Sequence, residues 1–390
     1  MITVFTSIYN RRNVVGRLYE SLLRQTSYDF EWLLIDDGST DHLQELVNIW
    51  QVQAGFPIHY YYVKNGGKHR AINEGAKRAK GEIFFIVDSD DYLADDAIEF
   101  IQREFVKIAG QDDFAGISGL MCSSADGQII GGKPAFKDYV DATDFERARY
   151  GLLKDKPCIY KTKIWLQYPL PEYEGENFLS EGVSHNEIAA QGLKIRWFHK
   201  VLMYVEYRED GLSRNIFEKR MHNPLGWAAN IVSNTKYVHK TENAIFKERY
   251  LFYECMHQKY TKEKMCGLLE MQEEEYCYLK ETWDRLLQSI ALLLKAHQVS
   301  SLAFYGMGMN AKRLLLYLKE LELCLQYGID RNHSQICICP VYSLEMELPE
   351  VDSVCITIND WSSELQEGIQ RRLQNAYIWA LVELDGIFKR

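Results

Sequence analysis

Residues 83–91 read Ile83-Phe84-Phe85-Ile86-Val87-Asp88-Ser89-Asp90-Asp91. The apolar run from Ile83 to Val87 has no alternation, which asks for a strand covered on both faces. Three carboxylates, Asp88, Asp90 and Asp91, follow at once. An apolar strand that ends in acids belongs in a parallel sheet with helices on both faces. The functional groups of such a sheet stand beyond the carboxyl ends of its strands.

Toward the N-terminus the same grammar repeats. Ile2 to Ile8 is a β-branched apolar run, and Asn13 to Leu23 carries Val14, Val15, Leu18 and Leu22 at helical spacing. Trp32 to Ile35 reads as a second strand. Ser39 and Thr40 offer N-caps for a helix bearing Leu43, Leu46 and Val47. Ile58 to Val63 reads as a third strand, and Lys68 to Lys80 as a helix ended by Gly81. Strands and helices alternating through short connections imply parallel pairing and right-handed crossovers.

Toward the C-terminus, Gly116 to Cys122 reads as a strand, and Asp126-Gly127 as a turn leading into Ile129-Ile130. Residues 225–296 are largely helical in pattern. Leu286, Leu287, Ile290, Leu293 and Leu294 form an apolar stripe there. Helix packing is the plain reading of the stripe, with a membrane-surface or homodimer face as the alternative. A second α/β unit starts near Ser300: the strand Leu302–Tyr305, then Gly306-x-Gly308-x-x-Ala311, a helix, and a strand Tyr327–Ile329 ending at Asp330. That spacing is similar to a dinucleotide-binding fingerprint. A packing or interaction domain built on the same pattern is the competing reading. The expected fold class is α/β: a central, mostly parallel sheet over 1–220, a helical segment over 221–298, and a small Rossmann-like domain over 299–390.

Composition narrows the function classes. The 390 residues are 47% hydrophobic and 26% charged, as in a globular protein. A formal net charge of -10 without a basic stripe argues against a nucleic-acid partner. Nine unpatterned cysteines fit a reducing compartment better than a disulfide framework or a zinc site. Met1-Ile2-Thr3-Val4-Phe5 reads as a strand rather than a leader, and no long uncharged apolar stretch occurs. The expectation is a cytoplasmic protein with at most peripheral membrane contact.

Four clusters follow the four N-terminal strands: Ser7, Tyr9 and Asn10; Asp36-Asp37-Gly38-Ser39; Asn65-Gly66-Gly67-Lys68-His69; and Asp88-Ser89-Asp90-Asp91. In a parallel sheet they converge on one rim. Carboxylates as crowded as Asp88, Asp90 and Asp91 repel one another unless a cation is present. Hard oxygen donors suit Mn2+ or Mg2+, which would clamp a diphosphate. Asp90 or Asp91 could instead cap a helix starting near Ala94. Asp37 is a candidate acceptor for a base or ribose, or else only a turn residue. Gly66 and Gly67 let backbone approach a ligand, and Lys68 adds a cation at a helix N-terminus.

Ser7-Ile8-Tyr9-Asn10, Asp36-Asp37-Gly38-Ser39 and Asp88-Ser89-Asp90-Asp91, in this order and spacing, resemble the family 2 glycosyltransferases of GT-A fold over about residues 1–215. The resemblance implies Asp90 as metal ligand and Asp88 as ribose or metal contact. It places Tyr9 and Asp37 at the nucleobase, beside Ser7, Asn10, Gly67, Lys68 and Ser89. It implies a nucleotide-diphosphate sugar, preferably UDP-linked, as donor and a saccharide or lipid-linked acceptor, as in bacterial surface-polysaccharide synthesis. Members usually invert, with one carboxylate as base. The stretch Pro171–Gly182 occupies the place of the family's acidic motif and supplies Glu181 as first choice and Glu176 as second. Many relatives carry a His in the loop matching Glu206–Ser213. This chain has none there, and Arg208 or Asp210 is the substitute on offer.

Three other readings compete. A nucleotidyltransferase would carry a glycine-rich basic loop after the first strand, and Ser7–Arg12 lacks one. A non-catalytic sugar-nucleotide-binding or scaffold protein has no need of intact Asp88, Asp90 and Glu181. An oxidoreductase would centre on the Gly306–Ala311 fingerprint.

Overall fold

The computed structural model describes residues 1–206, 216–238, 241–330, 339–359 and 362–384. The chain divides into two compact units, Met1–Lys240 and Thr241–Arg390.

In the first unit the order is β1 (Ile2–Ile8), α1 (Gly16–Leu23), β2 (Phe30–Asp36), α2 (Leu43–Gln53), β3 (Ile58–Tyr62), α3 (Lys68–Arg78), β4 (Ile83–Ile86), β5 (Tyr92–Leu93) and α4 (Ala97–Phe105). There follow β6 (Phe114–Ser123), β7 (Tyr139–Ala142), β8 (Cys158–Lys161), α5 (Thr162–Gln167), α6 (Gly182–Ala190), β9 (Lys194–Val205), α7 (Ile216–His222) and α8 (Pro224–Tyr237). Among the described residues these strands form one sheet of order β3-β2-β1-β4-β8-β6-β9-β5, with β7 paired to β9.

The strand alternation sorts side chains into two cores. Val4, Trp32, Leu34 and Phe85 pack with Leu18 and Leu22 of α1, Val47 of α2 and Ile101 of α4. Phe5, Leu33, Ile35, Phe84 and Ile86 face the other way, against Ile72 of α3, Trp165 of α5 and Val183 of α6. Burial on both faces is what the unbroken apolar runs require.

The sheet is parallel over β3-β2-β1-β4, and again where β6 pairs with β9. Beyond β4 it is mixed, because β8 inserts antiparallel between β4 and β6. The strands β5 and β7 also run against β9. Since β8 runs against both neighbours, β6 points the same way as β4, and its end joins the same rim.

Three local expectations are corrected. Residues 11–14 make a turn, with the Val14 and Val15 amides donating to Arg11 O, so α1 starts at Gly16 rather than Asn13. Neither Ser39 nor Thr40 caps α2. Its N-cap is His42, left-handed at φ 58°. The other two side chains are drawn instead to Asn10 of the neighbouring loop. Asp90 and Asp91 cap nothing, because β5 intervenes and α4 starts at Ala97 after Asp96.

The second unit holds α9 (Glu242–Met256), α10 (Lys262–Leu269), α11 (Glu273–Ala296), β10 (Leu302–Tyr305), α12 (Met309–Glu320), β11 (Leu325–Ile329), β12 (Val341–Tyr342), β13 (Ser353–Ile356), α13 (Ser363–Arg372) and β14 (Tyr377–Ala380). The helical stretch expected over 221–298 is thus shared: α8 folds with the first unit and α9–α11 with the second. Among the described residues the sheet is all parallel, of order β12-β11-β10-β13-β14, reversing at β10. On α11, Leu286, Ile290 and Leu294 are buried, so that stripe serves packing. The fully buried Glu254 carboxylate of α9 takes a two-point hydrogen bond from Arg313 of α12 (2.7 and 3.0 Å) and one from Tyr317 (2.7 Å). After β10 the glycine loop is closed upon itself. Gly306 has φ +88°, and a Cβ there would lie 2.4 Å from Ile358 Cγ2. The Met307 amide donates to Asp330 (2.8 Å).

Candidate functional site

The loops that follow β1, β2, β3 and β4 are joined side by side. Asn10, left-handed at φ 52°, donates its amide to Ser39 Oγ (2.9 Å), and its side-chain oxygen accepts the Thr40 amide (2.8 Å). The Asp37 amide donates to Ile8 O. The buried Asp37 carboxylate then accepts the amides of Gly66 and Gly67, each at 2.8 Å. Lys68, the first residue of α3, reaches Asp88 at 2.6 Å and Glu181 at 2.9 Å. Four separate sequence clusters therefore share one rim, and Glu181 joins them.

Burial raises the Asp37 carboxyl, the two glycine amides lower it, and the net shift is upward. With both oxygens engaged by the glycine loop, Asp37 shapes that loop. Gly67 explains why the loop needs glycine: it has φ +95°, and a Cβ there would lie 1.8 Å from Asn177 O. Tyr9 stands half exposed beyond β1 and offers a flat ring. Ser7 is partly buried near the end of β1, and Ser89 is buried between the acids.

The acid turn carries an electrostatic conflict. Burial first, then Asp88, raises the Asp90 carboxyl, while Arg11 and Lys68 oppose the rise. Burial, Asp88 and Asp90 push the Asp91 carboxyl well above the ordinary carboxylate range. A divalent cation relieves such a conflict. Among the described residues no three His, Cys, Asp or Glu side chains converge as a preformed cage. Two carboxylates completed by substrate phosphates suit Mg2+ or Mn2+, and Asp88 and Asp90 are the two that would hold such an ion. Arg208 and Asp210 lie outside the described residues.

Lys68 dominates the other side. Burial disfavours its charge, but Asp88 and Glu181 outweigh that and keep it firmly protonated. Glu181 is the N-cap residue of α6. Burial works against its ionised form, yet Lys68 by charge and hydrogen bond holds the carboxyl below its usual range. Glu176 is placed otherwise. Its buried carboxylate accepts the Leu225 and Gly226 amides, both at 2.8 Å, at the N-terminus of α8. An acid with both oxygens at a helix N-terminus is an anchor, which sets Glu176 apart from Glu181 as a candidate base.

Sequence reasoning gave no role to four neighbours. Arg11 lies within electrostatic reach of Asp90. Arg70 holds backbone carbonyls of the segment leading to Glu181. Cys158 opens β8 beside Ile86, with its Sγ 3.3 Å from His185 Nε2. Burial and the Glu181 charge push that thiol up, so it stays protonated. Finally, His69 is 2% exposed, and its Nδ1 has no hydrogen-bond partner among the described residues. Only the pairing of α3 with the segment before Glu181 could have revealed Arg70.

His69 gives the site an acid limit. Burial and then Arg70 lower its imidazole to about 4, against an ordinary 6.5, despite Glu172 and Glu181. Between those values the unfolded chain binds a proton that the folded chain refuses, so stability falls as pH drops through the window. The loss by pH 4.5 is expected to be about 2–3 kcal/mol. Urea unfolding of the wild type and of His69→Gln at pH 4.5 and 7.5 checks this, with the variant showing the shallower pH dependence.

The glycosyl transferase family 2 model matches residues 3–113. An uncharacterized glycosyltransferase of Rickettsia felis is 42% identical over 106 residues, 27% of this chain and 17% of that protein. Glycosyltransferase GlyA of Streptococcus pneumoniae is 25% identical over 232 residues, 57% of this chain and 32% of its own length. The chain thus spans a third or less of these relatives. The crystal structure of S. aureus TarS 1-349 in complex with UDP-GlcNAc aligns with a TM-score of 0.44 at 18% identity, covering 82% of this chain and 87% of that one. The matched segment takes in β2 to β4, nearly all of β1 and all four rim clusters, so the likeness to glycosyl transferase family 2 falls on the part of the chain that builds the site.

Proposed function

We propose that this chain is an inverting glycosyltransferase that moves a sugar from a nucleotide-diphosphate donor, UDP-linked by preference, to a hydroxyl of a saccharide or lipid-linked acceptor. The observation that carries the reading is Lys68, whose ammonium touches Asp88 on the donor side and Glu181 on the other. Tyr9, Asn10 and the Asp37-shaped glycine loop line the nucleotide. Asp88 and Asp90 would hold a divalent cation, which when bound would supply positive charge for the diphosphate leaving group. Lys68 stabilises that same leaving group. Glu181, ionised at neutral pH, accepts the acceptor hydroxyl's proton as its oxygen bonds to the anomeric carbon and the bond to the diphosphate breaks.

A cytoplasmic place, with peripheral contact at the inner face of the membrane, is part of the same proposal and rests on the sequence. Among the described residues no helix is long and apolar enough to cross a membrane.

A thermal-shift panel of UDP-, GDP- and dTDP-sugars, each with and without Mn2+, tests the reading, since a ligand of the native state raises its melting temperature. The expected result is a metal-dependent shift with UDP-sugars, accompanied by slow release of UDP. Metal-dependent binding with no turnover in the presence of an acceptor extract would favour the scaffold alternative. No shift with any nucleotide sugar would overturn both.

A further inference from the structure

Residues 168–181, between α5 and α6, carry no helix or strand, yet they deliver Glu181 to the rim. Their position must come from side chains. Arg70, on the first turn of α3, supplies the link back to the donor loop. Its Nη1 donates to Gly66 O (2.7 Å) and to Glu176 O, its Nη2 donates to Tyr173 O, and its Nε lies 3.4 Å from Glu172 Oε2.

We propose that Arg70 is a positioning residue for transfer: it sets the Glu181-bearing segment against the glycine loop and so fixes where Glu181 stands relative to Lys68. This rests on the glycosyltransferase reading above. One helix then carries both the ammonium that touches Glu181 and the guanidinium that places the chain leading to it. The planar fork suits the task, since it serves three carbonyls at once and lysine offers only a point charge. The donor loop does not depend on Arg70 alone, because Asp37 holds the Gly66 and Gly67 amides independently. Loss of Arg70 should therefore displace the base while leaving the donor in place.

The test is steady-state kinetics of full-length Arg70→Lys, Arg70→Gln and Arg70→Ala with the donor found by the thermal-shift panel. Glu172→Gln serves as the control that removes the ion pair while its side-chain oxygen can still accept from Asn73 (2.8 Å). In the Arg70 variants kcat is expected to fall about 10- to 100-fold, the cost of a small misplacement. Donor KM should stay within about threefold, and Glu172→Gln should match the wild type. Millimolar guanidinium should restore part of kcat in Arg70→Ala and leave Arg70→Lys unchanged. Three results overturn the proposal: unchanged kcat in folded Arg70 variants, equal losses in kcat and donor affinity, or failure of every Arg70 variant to fold, which would make Arg70 a residue of the fold. Inactivity of the wild type with every nucleotide sugar is a separate outcome, for it removes the glycosyltransferase reading itself.

Discussion

Asp90→Ala is expected to lower metal-dependent transfer about 1,000-fold, equivalent to about 4 kcal/mol of lost transition-state stabilisation. Asp90 sits in the acid turn between Asp88 and Asp91, where burial and the Asp88 charge raise its carboxyl. Without a cation its ionised form is a burden on the fold. Removing it should therefore raise the melting temperature of the ligand-free protein while abolishing the metal-dependent shift by a nucleotide sugar. Function and stability move in opposite directions at such a site. Initial rates and thermal shifts on Asp90→Ala and Asp90→Asn check both halves. Full metal-dependent transfer by either variant would remove Asp90 from the metal site.

The second large effect falls on Glu181. Glu181→Gln is expected to cut kcat about 100- to 10,000-fold, the range for removing a general base, while donor binding persists. Lys68 holds the Glu181 carboxyl low. The acid limb of the wild-type rate should therefore lie below the ordinary carboxylate value, with no fall between pH 6 and 8 from this group. Glu176 supplies the contrast, because its oxygens are committed to the Leu225 and Gly226 amides. Glu176→Gln should lower the melting temperature and leave the pH profile of kcat in place. If Glu176→Gln loses proton transfer and Glu181→Gln keeps it, the two roles are exchanged.

How much of this was legible beforehand follows from where the signals lie. The strand Ile83–Ile86 and the acids behind it were readable because an unbroken apolar run and a carboxylate cluster are local patterns. The convergence of the first four loops was readable because parallel pairing dictates it. The antiparallel insertion of β8 was not, because the pairing of Ile86 with Cys158 joins residues with no local sign of each other. Capping failed for a similar reason. Ser39 and Thr40 have the chemistry of N-caps, but Asn10 on the next loop competes for them and prevails. Glu176 and Glu181 are five residues apart in one irregular segment, and only their partners, a helix N-terminus and an ammonium, distinguish them.

The contact of Gly67 with Asn177 O reaches beyond this one loop. No side chain fits there, so drift at that position is closed unless the backbone near 177 moves as well. Libraries that vary the 170s to win new acceptors should accordingly hold the Asn177 carbonyl where it is. On the proposed glycosyltransferase reading, the rest of that segment can then diversify while the glycine loop keeps its shape.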